Sequence, residues 1–414
     1  MNRTSSAYLA SYVLSLLGNS IAGVALPLIV LQSTGSALAA GAVAVASAVP
    51  AALAGLVMGM VIDRINRRTA SVLTDLISAL SVAALPVVDS TVGLALGWFV
   101  LFAVVGSFGD VPGLTAREAM LPAITRAGGM SVERLLGLRE SLGAVVLLLG
   151  PAAAGAMIAV IDGTAILWVT AATSTAAALV TMTIPHGVGA TAVSSPRTGR
   201  MGFRNGWHTL TRSPFLLATT ALSAVLVLVL SGFQALVLPV HFTVVARPEL
   251  LGLVLSALAL GLLTGGGVYA AAGSRGRRRT WFLAGLALTV AGFAAMASLA
   301  APWVLLAAAA VVGLGNGLFG SLIGVLMVER IPEGMQGRVL STQNAILTLA
   351  PALGLGGAAI LTETTGAGTA AIALAAVWIT TGVVAFWARP LRDLERQPSG
   401  SGRPRSLEAE EVAP

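Results

Sequence analysis

The chain of 414 residues has no cysteine and no lysine, only three histidines, and few charges of either sign. Without cysteine there can be no disulfide, thiol nucleophile or thiolate metal site. His186, His208 and His241 are too scattered to form a metal-ligand cluster, and His241 reads as an exposed loop residue. Charged residues make up 10% of the chain, against about 25% in soluble domains. That leaves too little polar surface to cover a globule in water. No Ser/His/Asp set, metal cluster or phosphate loop stands in a plausible context, so the residues point away from an enzyme and call for no cofactor or metal. Gly315-Asn-Gly317-Leu-Phe-Gly320 matches a dinucleotide fingerprint in letters only. It lies inside an apolar run, whereas that chemistry needs a preceding strand and a helix N-terminus.

What the chain has is apolar length. Hydrophobic residues make up 56% and mean hydropathy is +0.91. Residues 8–31, 37–61, 213–240 and 281–328 carry no acid or base. About 20 apolar residues cross the hydrocarbon of a bilayer, and only helices or closed barrels satisfy their backbone there. Runs between charges and Gly/Pro breaks predict helices over 8–31, 37–62, 70–88, 91–115, 138–161, 164–184, 213–240, 249–273, 281–300, 303–328, 338–361 and 366–388. The first run is longer than a signal-peptide core of about 7–15 residues and is read as the first span. The expected fold is an all-α membrane protein of twelve transmembrane helices in two six-helix bundles.

The arginines support the count. With twelve spans, 23 of the 24 basic residues fall on one face, leaving only Arg247 opposite. The positive-inside rule makes that face cytoplasmic, with both termini there, in a multi-pass plasma (inner) membrane protein. The net charge of +7 therefore reflects topology, and nucleic acid is not expected as a partner. The polar stretch 191–212 separates a bundle over 1–190 from one over 213–390, and 391–414 reads as a disordered cytoplasmic tail.

The halves are related. Arg64-Ile-Asn-Arg-Arg-Thr69 matches Arg275-Gly-Arg-Arg-Arg-Thr280, and Gly106-Ser-Phe-Gly-Asp110 matches Gly317-Leu-Phe-Gly-Ser321, both displaced by 211 residues (275 − 64; 317 − 106). Gly150-Pro151 is echoed by Ala350-Pro351, displaced by 200 (350 − 150). Six-span repeats with a site between the halves are how many secondary transporters are built. Asp63 and Asp110 of the first repeat become Ser274 and Ser321 in the second. Their joint loss suggests one cluster at the cytoplasmic end, shared with Arg64, Arg67 or Arg68. Asp75 lies inside the third span, where an acid is costly unless paired or hydrated. It reads either as a proton carrier or as a structural partner of the arginine-rich loop.

Gly59-Met-Val-Ile-Asp63-Arg64-Ile-Asn66-Arg67-Arg68 resembles the G-x-x-x-D-R-x-G-R-R signature of the major facilitator superfamily, in its expected loop. Asn66 replaces the usual second glycine, and asparagine tolerates the left-handed backbone of a tight turn. Arginines alone would set topology. Asp63 adds nothing to that, which favours a gating role. Gly137, Gly150, Pro151 and Gly155 resemble the Gly-Pro motif of that family's drug:proton antiporters, with Val146 and Ala154 where glycine is usual. Pro122, Thr74-Asp75-Leu-Ile-Ser78 and Gln336-Gly-Arg338-Val-Leu-Ser341 resemble the subgroup of macrolide-efflux and enterobactin-exporter-like proteins.

The resemblance implies a proton-coupled secondary exporter of a small molecule, working by alternating access as a monomer in the bilayer. It implies gating by Gly59, Asp63, Arg64, Arg67, Arg68, Asp110, Gly150 and Pro151, and proton coupling by Asp75 or Asp110. It also implies a cavity lined from spans one, four, seven and ten, where Asn19, Phe102, Phe108, Phe233, Gln234 and Asn316 are the polar or aromatic candidates. So sparse a polar lining favours an apolar or amphipathic cargo such as a drug, a macrolide-like compound or a siderophore. A uniporter or importer, or a non-transporting receptor or scaffold of the same fold, are the competing readings.

Overall fold

The computed structural model describes residues 2–62, 65–128, 132–189, 207–273, 275, 277–331, 336–392 and 394. Among the described residues there are twelve long helices: α1 Arg3–Thr34, α2 Ala37–Ile62, α3 Arg67–Thr91, α4 Leu96–Gly128, α5 Val132–Val160, α6 Gly163–Met182, α7 Pro214–Val244, α8 Glu249–Ala272, α9 Arg278–Ala297, α10 Pro302–Arg330, α11 Gln336–Thr365 and α12 Ala367–Trp387. No strand occurs among the described residues. Eleven of the helices are long and apolar enough to cross a membrane over their described residues; the remaining one is the 26-residue α2.

Local chemistry sets the helix ends. Asn66 caps α3, its side-chain oxygen accepting from Arg68 N (3.0 Å) and Thr69 N (3.4 Å). Its backbone is extended (φ −61°, ψ 122°), so Asn66 does not use the left-handed conformation that asparagine tolerates: the free amide hydrogens of α3's first turn recruit its side chain. Ser213 caps α7, with Pro214 at the first helical position, where a missing N–H costs nothing. Gly35 ends α1 at φ 66°, its N–H bonded to Leu31 O (2.8 Å).

Within α7, residues Phe233–Val237 form a π-helical turn. Pro239 follows after one residue, Leu238. A proline ring collides with the carbonyl four residues earlier in an α-helix, and the widened turn lies where that carbonyl, on Ala235, would meet it.

Helix pairing repeats between the halves. In the first, α1 packs on α5 and α6, α3 on α4 and α6, and α2 on α4; in the second, α7 packs on α11 and α12, α9 on α10 and α12, and α8 on α10. The halves meet through α2 with α11 and α5 with α8, a pair of contacts that exchange under the same repeat. Small residues let these crossings close. A Cβ on Gly155 would lie 3.0 Å from Gly252 Cα and 2.9 Å from Glu249 O, backbone atoms with nowhere to go. Ser256 Oγ donates across the same crossing to Leu148 O (2.6 Å).

At the other crossing, near the end of the molecule away from the arginine-rich loops, Glu363 of α11 reaches the start of α2. Its Oε2 accepts from Leu38 N (3.2 Å) and Ser36 Oγ (3.3 Å). A carboxylate from one half thereby caps a helix of the other.

Candidate transport site

Inside the first bundle lies a cavity of about 380 Å³, lined from α1, α2, α3, α4 and α6 and touched by Leu355 of α11. Its walls are mostly Ala, Val, Leu and Pro, with Asn19 and Phe102 among them. Polar atoms come from hydroxyls such as Ser47, Ser81 and Thr170 and, among the described residues, from a single acid, Asp110. The Asp110 carboxylate is open to the cavity. Ser78 Oγ donates to its Oδ1 at 2.7 Å.

The position of Asp110 corrects an expectation. The fourth span was predicted to end at 115, which put Asp110 at its inner end beside the arginines. The helix instead runs to Gly128, and Asp110 is near its middle. Hydropathy stops the span where Thr115, Arg117 and Glu118 begin. The helix continues because Arg117 is buried against protein rather than exposed in a loop, with 2% of its surface accessible.

The partner of Arg117 is Asp75. Arg117 Nη2 forms an ion pair with Asp75 Oδ2 and also reaches Ser11 Oγ (3.4 Å). Ser15 Oγ donates to Asp75 Oδ1 (3.1 Å), Ser11 and Thr181 share a 2.5 Å hydrogen bond, and Tyr8 OH donates to the Arg117 carbonyl (3.4 Å). In the sequence Arg117 falls just past the predicted fourth span, 91–115, and Asp75 reads as a proton carrier or as a partner of the arginine-rich loop rather than of Arg117. Nothing in hydropathy pairs these two charges, because it does not show which residues of different helices face one another.

The loop arginines do structural work further along. Arg67 Nη1 donates to Ala119 O (2.8 Å), and Arg68 donates to the carbonyls of Met182 and Thr181. They tie the start of α3 to the later part of α4 and to the end of α6. Ala119 is nine residues beyond Asp110, about 13 Å along a helix axis, so Arg67 and Arg68 are not bonded to Asp110. Asp63 and Arg64 lie outside the described residues; Gly59 lies within α2.

The remaining candidates separate. Asn316 lines a second groove of about 390 Å³ in the second bundle, with Ser223, Phe319, Met327 and Gln343. Phe233 is fully buried, stacked on Phe293 at 5.5 Å, and Phe293 packs on Trp378 at 6.2 Å. Gln234 is half-buried in the π-helical turn, and Phe108 is exposed on α4; neither is among the lining residues of these cavities. Gly150 packs on α1 at Ser20, and Pro151 lies at the α5–α8 crossing. Gln343 was missed by the sequence reading, because nothing in its run distinguishes it from a surface glutamine.

The second bundle carries different chemistry at the matching places. At the 211-residue displacement, Asp75 corresponds to Leu286, Asp110 to Ser321 and Ser78 to Thr289. Thr289 Oγ1 accepts from Trp378 Nε1 (3.0 Å) in a buried aromatic cluster.

The Major Facilitator Superfamily model matches residues 8–248 and 226–411. The multidrug efflux pump Tap of Mycolicibacterium fortuitum is 32% identical over 392 residues, covering 91% of this chain and 94% of that protein. Its namesake from Mycobacterium tuberculosis is 31% identical over 391 residues, covering 92% of each. Among solved structures, a variant of the nucleoside transporter NupG aligns with a TM-score of 0.75 at 14% identity, covering 91% of this chain and 98% of that one. A bacterial homologue of the human lysosomal transporter Spinster, inward-facing and occupied, aligns at 0.70 with 12% identity, covering 95% and 98%. Helix number, repeat and matched length agree: the chain belongs to the Major Facilitator Superfamily and is a membrane transporter.

Proposed function

We propose that the chain exports small amphipathic or apolar drugs from the cytoplasm in exchange for protons, by alternating access between its two bundles. The observation that carries this reading is the cavity in which Asp110 is the one acid among the described residues. About 380 Å³ of mainly aliphatic wall is at the small end of ligand pockets, roughly 300–1,000 Å³. Such a wall suits a ring system or an alkyl chain. It has too few hydrogen-bonding groups for a sugar and too few carboxylates for a polyvalent cation. The relatives named multidrug efflux pump Tap support export and support drugs as cargo.

In this reading the bundles span 1–190 and 213–390, joined by 191–212, and both termini face the cytoplasm. The transporter works as a monomer in the plasma membrane. Asn19 and Phe102 contact cargo from the first half and Asn316 from the second. Gly59, Asp63, Arg64, Arg67, Arg68, Gly150 and Pro151 serve the conformational change, and Asp75 and Asp110 are the acids available for coupling. Proton drive fits a chain in which no phosphate-binding loop for ATP was found in the sequence.

The test is a susceptibility screen of cells with and without the protein, over macrolides, siderophores and dyes, followed by transport in everted vesicles. Uphill accumulation that collapses with a protonophore supports antiport. A substrate gradient that persists after the protonophore overturns it in favour of facilitated diffusion.

A further inference from the structure

Building on the proton-antiport reading, we propose that the two acids of the first bundle have separate tasks: Arg117 is a positioning residue that holds Asp75 as a fixed charge, and Asp110 alone takes up and releases the coupling proton.

The surroundings of the acids differ in kind. Asp75 is 4% exposed and its partners Arg117 and Ser15 both donate to it. Protonating Asp75 would strand the Arg117 cation where only 2% of the residue is exposed and where its Nε already lacks a hydrogen-bond partner. Breaking one side of a buried pair in this way is strongly unfavourable. Neither Asp75 nor Arg117 lines the cavity.

Asp110 faces the cavity and has Ser78 as its hydrogen-bonding partner. A hydroxyl donates to a carboxylate and accepts from a carboxylic acid, so Ser78 serves Asp110 in both protonation states. Among the described residues, the helices packed on α4 bring no cation to it, and the short helix His186–Gly189 against α4 has its His186 at Asn66, at the start of α3. Helix α1 carries no charge beyond Arg3, and α2 carries none within its bounds. Helix α3 brings Asp75, already paired, and keeps Arg67 and Arg68 at its start and Asp89 near its far end. Helix α5 places Glu133, Arg134, Arg139 and Glu140 in its first turns, where Arg139 pairs with Glu118 at 3.0 Å.

The two sites are nevertheless adjacent. Ser78 follows Asp75 by one helical turn on α3, and Asn19 follows Ser15 by one turn on α1. A neutral Asp110 and an ionised Asp110 thus present different charges to a fixed pair one turn away, and to any cargo in the cavity. The second bundle, with Leu286 and Ser321 at the matching positions, contributes no counterpart. The assignment therefore implies one coupling proton per cycle.

The experiment uses the full chain in proteoliposomes, with ethidium as the probe and an imposed pH gradient as the drive. Asp75→Asn alone should cut gradient-driven uptake at least tenfold, because it leaves Arg117 unpaired. The double variant Asp75→Asn with Arg117→Gln removes both charges and should recover uptake to within about threefold of wild type. In Asp110→Asn, whatever dye movement remains should not respond to the gradient. A double variant that catalyses dye exchange but ignores the gradient makes Asp75 the carrier and overturns the assignment. Should the double variant fail to fold, proton release on adding ethidium to detergent-solubilised protein decides: wild type releases protons and Asp110→Asn should not, and undiminished release overturns the assignment. A wild-type protein that ignores the gradient refutes the antiport reading itself, a distinct outcome.

Discussion

Glu363→Ala removes the carboxylate that bridges the halves at the end away from the arginine-rich loops, and its effect on the conformational equilibrium follows from the geometry. Two hydrogen bonds are lost, at 3.2 and 3.3 Å, from an exposed glutamate. Helix caps are worth about 0.5–2 kcal/mol. Bonds of this length in exposed surroundings belong at the lower end, about 0.5–1 kcal/mol after screening. With tenfold per 1.4 kcal/mol, the state open at that end should gain about two- to fivefold in population. The bonds exist only while the halves are closed there, so the loss falls on that state alone.

The chain has no cysteine, so a single Val43→Cys provides a unique thiol. Val43 lines the cavity and is 9% exposed in the closed state. Its labelling by an impermeant thiol reagent, added to whole cells, reads the open population. The expected result is a two- to fivefold faster rate in Glu363→Ala and a smaller rise in Glu363→Gln, whose amide oxygen still accepts. An unchanged or slower rate in Glu363→Ala would refute the claim that this bridge holds the halves together.

Four further outcomes are expected. Reporter fusions at residues 200 and 400 should read cytoplasmic and those at 163 and 365 external; an external reading at 200 defeats the orientation. Gly252→Val should impair transport strongly, because its side chain meets α5 backbone at Gly155; overpacking of about 1–3 kcal/mol should appear as a lower melting temperature in detergent, and normal turnover would show that the crossing need not close. Asn66→Ala should destabilise the folded protein by about 1 kcal/mol through loss of the α3 cap, measured by thermal unfolding. Asp63→Asn and Asp110→Asn should each reduce vesicle transport with the protein still inserted, and their defects should multiply, since Arg67 meets α4 at Ala119, well beyond Asp110; a double variant no worse than the worse single would put both acids back in one cluster.

The membrane class, the twelve helices and the repeat were legible because each is a property of the chain read in one dimension. An uncharged run long enough to cross hydrocarbon is a local fact, and arginines segregate by loop regardless of how the helices pack. The helix cap at Asn66 was not legible. A tight turn and a helix cap draw on the same residue types, and the unpaired amides of Arg68 and Thr69 decide between them. The end of α4 was misplaced for a related reason. Hydropathy treats every charge as a contact with water, while Arg117 is satisfied by Asp75 in the protein interior.

The sequence by itself determined that this chain lives in a bilayer as two related bundles, and that its two halves differ in acids. Only the tertiary structure decided what surrounds the acids of the first half. It paired Asp75 with Arg117 and opened Asp110 to a cavity, and it filled the matching region of the second bundle with Phe233, Phe293 and Trp378. The physical reason is that desolvation depends on neighbours in space. A carboxylate inside a helix bundle is held ionised by a buried cation or left free to titrate beside a hydroxyl, according to which side chain from another helix meets it.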